Sequence, residues 1–440
     1  MNRDLTQGPV TKSMLLFALP MILGNLLQQF YNVADTLIVG QFLGSTALAA
    51  VGSSYTLMTF LTSILLGMCM GSGAVFSIRF GEGDLPRLKN SLSLSFLLIA
   101  GFTVALNVAV FLLIDPMMAL LQVPADVIPL MRSYLWVIFW GIGGTFLYNY
   151  FASLLRAVGN SATPLVFLGV SAVLNIVLDL VFVVAVPWGV AGAAFATSIS
   201  QWVSGVGLLV YTWKRMAHLR PSRQDVYWKK DRVGEIARFS LLTCVQQSVM
   251  NFGILMVQGL VNSFGTVVMA AFAAAVKIDS FAYMPVQDFG NAFSTFIAQN
   301  YGARDMSRIR RGIRSAVLAA AVFSGAVSVL VCVFAEPLLL LFVKPEEREI
   351  LAVGVQYLRV EGAFYVGIGI LFLLYGLYRA IQRPGMSLVL TVISLGLRVA
   401  LAYAFAPAFG VTAIWLSIPI GWLIADVVGL VGLPKALAKR

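Results

Sequence analysis

The stretch RFGEGD, residues 79–84, recurs as NYGARD at residues 300–305, and this recurrence decides the fold of the 440-residue chain. The same offset along the chain places DPMMALL, residues 115–121, on EPLLLLF, residues 336–342. A nearly identical offset pairs Tyr134 with Tyr357, and LLRAVG at 154–159 with LYRAIQ at 377–382. Self-similarity at a fixed period indicates a duplicated structural unit. The sequence therefore predicts two copies of one unit.

The composition is typical of a membrane protein. Hydrophobic residues make up 60% of the sequence and charged residues only 11%, against about 25% charged residues in soluble domains. Uncharged runs such as 180–213 and 239–276 are long enough for one or more spanning helices of about 20 residues. Their apolar character is continuous rather than alternating, which favours helices over a β-barrel. We therefore expect a polytopic helical membrane protein.

Glycine-rich and turn-like points divide the apolar runs into twelve spans, six in each copy of the repeat. The prediction is an all-α integral membrane protein with two six-helix bundles, an N-lobe at 1–213 and a C-lobe at 236–440, joined by a basic linker at 214–235. Six spans per copy give both bundles the same orientation, so their pseudo-twofold axis should run along the membrane normal. The predicted spans are 13–38, 46–78, 92–114, 128–155, 162–186, 190–212, 236–260, 265–300, 315–335, 351–379, 385–405 and 411–433.

Lysine and arginine residues are distributed unevenly between the two sides of the predicted membrane. Of the 30, 24 lie at the two termini and in the even-numbered connections, and only three lie on the opposite side. The positive-inside rule then places both termini in the cytoplasm of a multi-pass protein, expected in the bacterial plasma membrane. The net charge of +11 reflects loops beside anionic lipid rather than a nucleic-acid site.

Charged residues inside the spans are functional candidates, because each is costly in lipid. The first copy has two such acids, Asp35 and Asp179, and no base deep within its spans. An unpaired buried carboxylate holds a proton or binds a cation. Depth along the spans places Thr197 at a similar height, and Asn175 shares a helix face with Asp179, which lies four residues later. These four oxygen-bearing side chains predict a site for H⁺ or a small cation such as Na⁺.

The second copy lacks all four of these polar residues. At the repeat offsets, Asp35, Asn175, Asp179 and Thr197 correspond to Met256, Arg398, Ala402 and Ile418 in that order. A functional role of these four residues in the first copy would explain this difference. Neutral sequence drift would explain it equally, with Asp35 as an ordinary residue at the membrane interface. The spans of the second copy carry charges of their own, three bases for four acids, so much of that charge could be paired. These residues are Lys277, Asp279, Asp288, Arg359, Glu361, Arg398 and Asp426.

The whole chain resembles the multidrug and toxic compound extrusion (MATE) family. The resemblance rests on LTQGPVTKSMLLFALPMILGNLLQQFYNVADTLIVGQFLG near the N-terminus, on LLRAVGNSATP, and on NIVLD before GVAGAAFAT. It implies a V of two six-helix bundles that exports drug-like, often cationic compounds, driven by inward H⁺ or Na⁺. We expect such a transporter to act as a monomer without a cofactor. Carried over to this sequence, the family's N-lobe cation site is Asp35, Asn175, Asp179 and Thr197.

The resemblance also points to a substrate cavity, and the sequence itself indicates a bend in the first span. The expected cavity residues are Gln28, Tyr31, Asp279 and Glu361. Pro20 lies inside span one, where it removes a backbone hydrogen bond and can bend the helix. Two interpretations stay open, a static kink and a bend that responds to protonation of Asp35.

The main alternative is a flippase for lipid-linked saccharides of the same superfamily, which would use basic residues to hold a pyrophosphate. Lys277, Arg359 and Arg398 keep this alternative open, but the first copy supplies no such base. An intramembrane enzyme is disfavoured, because the acids form no Asp-rich motif for Mg²⁺ and diphosphate. A nucleotide-driven pump is disfavoured too, because the sequence has no P-loop motif. The sequence does not separate H⁺ from Na⁺ as the coupling ion.

Overall fold

The computed structural model describes residues 4–121 and 123–438, and no β-strand occurs among them. Among the described residues, four irregular segments join or extend the α-helices: 3₁₀ turns at Phe139–Gly141 between α5 and α6 and at Ala217–Leu219 and Arg223–Asp225 between α8 and α9, and a π-helix at Leu180–Ala185 after α7. The helices are α1 Val10–Leu43, α2 Ser45–Gly81, α3 Leu85–Leu112, α4 Ile114–Leu120, α5 Ile128–Ile138, α6 Ile142–Ala157, α7 Ala162–Asp179, α8 Gly189–Arg215, α9 Lys230–Asn262, α10 Thr266–Gly302, α11 Met306–Val333, α12 Ala335–Leu339, α13 Arg348–Gly362, α14 Tyr365–Ala380, α15 Pro384–Phe409 and α16 Val411–Ala438.

The number of spanning helices agrees with the sequence prediction. Among the described residues, eleven helices are long and apolar enough to cross a membrane, counting α5 with α6 and α7 with its π-helical extension. Helices α13 and α14 provide a twelfth span, bent by 51° at the break between them. The predicted all-α membrane fold is therefore confirmed, and its tenth span is broken rather than straight.

The helices pack into two compact units. Unit 1 consists mainly of Leu19–Cys244, and unit 2 of Leu5–Ala18 together with Val245–Arg440. Two helices contribute to both units, because the division falls beside Pro20 in α1 and near the middle of α9. The first part of each of these helices therefore belongs to a different unit from its second part. The basic connection at 214–235 lies within unit 1.

The repeated motif forms the same turn in both units. Its fifth residue, Gly83 in the first copy and Arg304 in the second, has a left-handed backbone with φ of 70° and 59°. The aspartate that follows accepts a hydrogen bond from the backbone N–H three residues later, at 3.0 Å in unit 1 and 2.8 Å in unit 2. This side-chain cap begins α3 and α11. The duplication has thus preserved both the turn and the cap.

Arg308 fixes the segment before α1 within unit 2. Its guanidinium donates two hydrogen bonds to the carbonyl of Leu5 and one each to the carbonyls of Gln7 and Gly8, at 2.7–3.2 Å. Leu5 is fully buried, and its N–H donates to the side chain of Gln299. The planar fork of arginine can serve several carbonyls at once. One side chain therefore holds four residues of backbone in place.

Helix α9 begins against α2 in unit 1, where glycines allow the two backbones to approach closely. A Cβ atom added at Gly71 would lie 2.3 Å from the carbonyl oxygen of Phe239, and one at Gly67 would meet the α9 backbone at 2.6 Å. The hydroxyls of Ser72 and Ser240 are 2.8 Å apart at the same contact. Small residues at helix interfaces permit such packing in membranes.

Gly71→Ala should therefore destabilise the protein. The added methyl group must push α2 from α9, at a cost of about 1–3 kcal/mol, although alanine alone would stabilise a helix by up to about 1 kcal/mol. Thermal unfolding of the purified protein in detergent should show a melting temperature lower by several degrees. Gly52→Ala, also in α2 but with nothing within 4 Å of the added atom, is the matched control. Equal melting temperatures for the two variants would contradict the packing argument.

Arg308→Gln should release the N-terminal segment from unit 2. Loss of the charged hydrogen bonds raises the population in which the segment is open, so limited proteolysis should cleave it about tenfold faster. Arg311→Gln changes an exposed arginine on the same helix and should leave the cleavage rate unchanged. A wild-type rate in Arg308→Gln would show that other contacts hold the segment.

Candidate functional site

Unit 1 brings its two intramembrane acids together. Asp35 lies in the second half of α1, and Asp179 is the last residue of α7. Their carboxyl groups are within hydrogen-bonding reach of each other. Asp179 is fully buried and Asp35 is partly buried. These two residues are called the unit 1 acid pair below.

An amide and a hydroxyl group complete the cluster. Asn175, one helical turn before Asp179, donates from Nδ2 to Oγ1 of Thr197 at 3.2 Å. Thr197 in turn donates to the carbonyl of Ala193 at 3.1 Å, which fixes its hydroxyl on α8. The buried oxygens Oδ1 of Asp35, Oδ1 of Asn175 and both carboxylate oxygens of Asp179 have no hydrogen-bond donor among the described protein groups. The four residues selected from the sequence therefore lie together, with oxygen atoms that face no protein donor.

The helix geometry changes at this cluster. The regular α-helix of α7 ends at Asp179, and the chain continues as the π-helix Leu180–Ala185. Wider turns of this kind are rare and frequently occur at functional sites. The irregular backbone thus begins directly after the buried acid.

Tyrosine side chains lie within electrostatic range of the unit 1 acid pair. Tyr134 interacts with both acids in this way, and Tyr31 and Tyr55 interact with Tyr134 and with each other. Gln28 forms a side-chain hydrogen bond with Tyr31. Gln28 and Tyr31 are among the cavity residues predicted from the sequence, whereas Tyr55 and Tyr134 are not. The pairing of Tyr134 with Tyr357 in the repeat was a signal that could have pointed to one of them.

The chemistry of the cluster follows from its charges. In the described part of the chain, neither member of the acid pair has a Lys or Arg side chain among its electrostatic partners. Two facing carboxylates repel each other unless a proton or a cation lies between them. Carboxylate, amide and hydroxyl oxygens are hard ligands that suit small cations. The residues present therefore fit either one shared proton or an alkali ion such as Na⁺.

Unit 2 contains a second acid pair, Asp279 on α10 and Glu361 on α13, and both residues are buried. Glu361 lies just before the break in the tenth span. The hydroxyl of Tyr357 is 3.4 Å from Oδ2 of Asp279 and also lies within hydrogen-bonding reach of Glu361. Arg398 on α15 is buried and acts electrostatically on both acids. These two acids are called the unit 2 acid pair.

Two further bases in the spans of unit 2, Lys277 and Arg359, are exposed. The Lys277 ammonium lies 5.9 Å from the ring centre of Phe342. Arg359 donates from Nε to the carbonyl of Cys332 at 3.4 Å. Among the described residues, Arg398 is the basic side chain that acts electrostatically on both members of the unit 2 acid pair.

Asp179→Asn should stabilise unit 1. The amide removes the repulsion within the acid pair and supplies a donor to the oxygens of Asp35, at nearly the same volume. In Na⁺-free buffer at alkaline pH, where the acid pair holds no cation, we expect a gain of about 1 kcal/mol in the free energy of unfolding, measured as a higher melting temperature in detergent. Asp126→Asn, which changes an exposed acid of unit 1, is the control. A lower melting temperature for Asp179→Asn would mean that the carboxylate has a stabilising partner.

Comparison with known proteins assigns each half of the chain to one type of domain. A family model described as MatE matches residues 20–181 and 242–404. The second matched segment begins and ends at positions that the internal repeat relates, to within a residue or two, to those of the first. The family model therefore recognises the same duplication that the sequence motifs reveal.

Relatives of known designation cover nearly the whole chain. "Probable multidrug resistance protein YpnP" of Bacillus subtilis (strain 168) is 31% identical over 424 residues, which cover 96% of this chain and 94% of that protein. "Probable multidrug resistance protein YoeA" of the same organism is 28% identical over 431 residues, covering 94% and 92%. A solved structure, "Outward-facing conformation of a multidrug resistance MATE family transporter of the MOP superfamily", superimposes with a TM-score of 0.92 at 24% identity, covering 99% of this chain and 98% of that one.

Proposed function

The chain belongs to the MATE family of multidrug transporters, and we propose that it exports small amphipathic, often cationic compounds in exchange for H⁺ or Na⁺. It is a multi-pass membrane transporter rather than an enzyme, and members of the family need no cofactor. The observation that carries the proposal is the unit 1 acid pair, whose carboxyl groups lie within hydrogen-bonding reach of each other. Among the described residues, their buried oxygens have no protein donor and no basic partner.

The acid pair provides a physical basis for coupling. Asp35 and Asp179 hold the incoming ion, and Asn175 and Thr197 contribute their side-chain oxygens. Loading the ion cancels the repulsion between the carboxylates and therefore stabilises the conformation in which they face each other. If the drug binds more tightly to the unloaded protein, ion binding from outside weakens drug binding, and drug binding from inside favours ion release. Alternating access to the two sides then converts the ion gradient into export.

Drug binding is assigned to side chains within each unit. In unit 1, Gln28 and Tyr31 lie beside the acid pair, and an aromatic face attracts organic cations. In unit 2, Asp279 and Glu361 supply negative charge for the same class of compounds. The family assignment supports small-molecule substrates for both sets of residues.

Pro20 is proposed as the bending point of α1. The division between the part of this helix in unit 2 and the part in unit 1 falls beside this proline. A proline inside a helix removes one backbone hydrogen bond and lowers the cost of a bend. Neutralisation of Asp35, on the same helix, would then change the preferred bend.

The orientation follows from the basic residues, which support cytoplasmic termini in a bacterial plasma membrane, and we propose that the monomer is the working unit. The flippase alternative is not favoured. The relatives are designated multidrug resistance proteins, and two of the three bases that could hold a pyrophosphate, Lys277 and Arg359, are exposed.

Asp35→Asn and Asp179→Asn should each abolish coupled export. An amide cannot exchange a proton and is a poorer ligand for Na⁺, so the ion no longer drives the cycle. In proteoliposomes that carry an imposed ΔpH or ΔNa⁺, efflux of a cationic fluorescent dye should fall at least about tenfold. Coupling free energies usually change the affinity of the coupled site by about this factor. The gradient that drives wild-type efflux identifies the ion.

Asp126→Asn serves as the matched control, because it removes an exposed acid of the same unit and should transport at the wild-type rate. If both acid-pair variants also export at the wild-type rate under either gradient, the coupling assignment is wrong. If the wild-type protein moves a lipid-linked saccharide but no cationic dye, the flippase function replaces the one proposed.

A further inference from the structure

The two acid pairs lie beside repeat-related tyrosines. Tyr134 in unit 1 corresponds to Tyr357 in unit 2. Tyr134 lies close to both members of the unit 1 acid pair, and Tyr357 lies close to both members of the unit 2 acid pair. The acids themselves come from different helices, α1 and α7 in unit 1 but α10 and α13 in unit 2. Equivalent places in the two bundles have therefore acquired two carboxyl groups each, from different positions in the chain.

The two places differ in their basic side chains. Arg398 acts on both acids of unit 2, and it occupies the repeat position of Asn175. It is buried, yet no ion pair within 4.0 Å joins it to either acid among the described residues. Its charge therefore acts through the electrostatic field of the buried cluster. The unit 1 acid pair has an amide at this repeat position and, in the described part of the chain, no basic partner.

We propose that Arg398 is a tethered cation, which supplies to the unit 2 acid pair the positive charge that an exchangeable H⁺ or Na⁺ supplies to the unit 1 acid pair. The inference rests on the function proposed above for unit 1. A guanidinium stays charged at all physiological pH values, and its covalent attachment makes its local concentration independent of any ion gradient. The unit 2 site is thus a monovalent-cation site that its own arginine keeps from responding to ions.

The proposal predicts that removing the arginine exposes an ion-binding site. The test uses full-length protein in lipid nanodiscs that carries Asp35→Asn and Asp179→Asn, so that unit 1 no longer contributes. Arg398→Asn is added to this background, because asparagine is the residue at the repeat-related position of unit 1. Arg398→Lys is the matched control, since it retains a tethered charge.

Melting temperatures are measured against Na⁺ at constant ionic strength, balanced with choline, and separately against pH without Na⁺. With Arg398→Asn, Na⁺ or protons at tenfold their dissociation constant should raise the melting temperature by about 3 °C. This value is the rise beyond that of the Asp35→Asn, Asp179→Asn protein under the same conditions. With Arg398→Lys, the melting temperature should respond to Na⁺ and pH as it does in the Asp35→Asn, Asp179→Asn protein. The proposal is overturned if Arg398→Asn responds to neither ion, or if Arg398→Lys responds equally.

Two further variants keep the proposal testable if Arg398→Asn does not yield folded protein. Both retain Arg398 in an otherwise wild-type chain. Glu361→Gln leaves Asp279 as a countercharge and should keep the wild-type melting temperature within about 2 °C. Asp279→Asn combined with Glu361→Gln leaves a buried guanidinium without a carboxylate, and the melting temperature should fall by several degrees. Equal melting temperatures for the single and double variants would overturn the proposal.

The test of the tethered cation can fail or succeed independently of the test of ion coupling at unit 1. Wild-type efflux by the Asp35→Asn and Asp179→Asn variants would refute coupling at unit 1, and the ion response of Arg398→Asn would still be read from unfolding alone. Conversely, coupling at unit 1 can hold while Arg398→Asn responds to no ion, in which case only the tethered cation is refuted.

Discussion

An ionised carboxylate that is removed from water without a countercharge costs several kcal/mol, and this cost governs unit 1. Asp179 is fully buried, and another acid, Asp35, acts on it electrostatically. No basic side chain among the described residues relieves the cost. The cluster instead contains an amide and a hydroxyl, held by hydrogen bonds to each other and to α8. Under the proposed function, H⁺ or Na⁺ supplies the missing positive charge, and its binding and release drive the transport cycle.

The duplication shows which features the fold requires. The turn with its left-handed residue, the aspartate cap and the tyrosine beside the acids are present in both units. The four polar residues of the unit 1 cluster are absent from unit 2. Packing and capping therefore do not depend on those four residues, and one helical framework accommodates two different solutions to buried negative charge.

Much of the fold could be predicted from the sequence, because lipid admits few backbone structures and long apolar runs are unambiguous. The cluster could be predicted because helix geometry is rigid, so that residues four apart share a face and depth follows from a fixed rise. Tyr55 was missed, since no local pattern sets it apart from other aromatic residues in the spans. The break between α13 and α14 lies at Ala363–Phe364, without the proline that would have marked it.

The division into units was harder to predict than the span count. Composition places boundaries in polar connections, whereas the structure divides the chain inside α1 and α9. Arg308 illustrates why, because its partners Leu5, Gln7 and Gly8 lie near the opposite end of the chain, and no periodicity or spacing connects such distant segments.

Each unit contains a helix segment that belongs, in sequence, to the other half of the chain, and this arrangement has a consequence for biosynthesis. The segment before α1 is synthesised before the rest of unit 2, yet the N–H of Leu5 has its acceptor far along the chain, at Gln299. Domains generally fold as units during synthesis, so this segment must wait until the later helices of unit 2 have been made before it can pack into them. Unit 1 in turn requires the first part of α9, beyond its own sixth span. Two half-chains cut in the connection after α8 would each lack a helix segment held by the other, and they would regain the native fold only by assembling together.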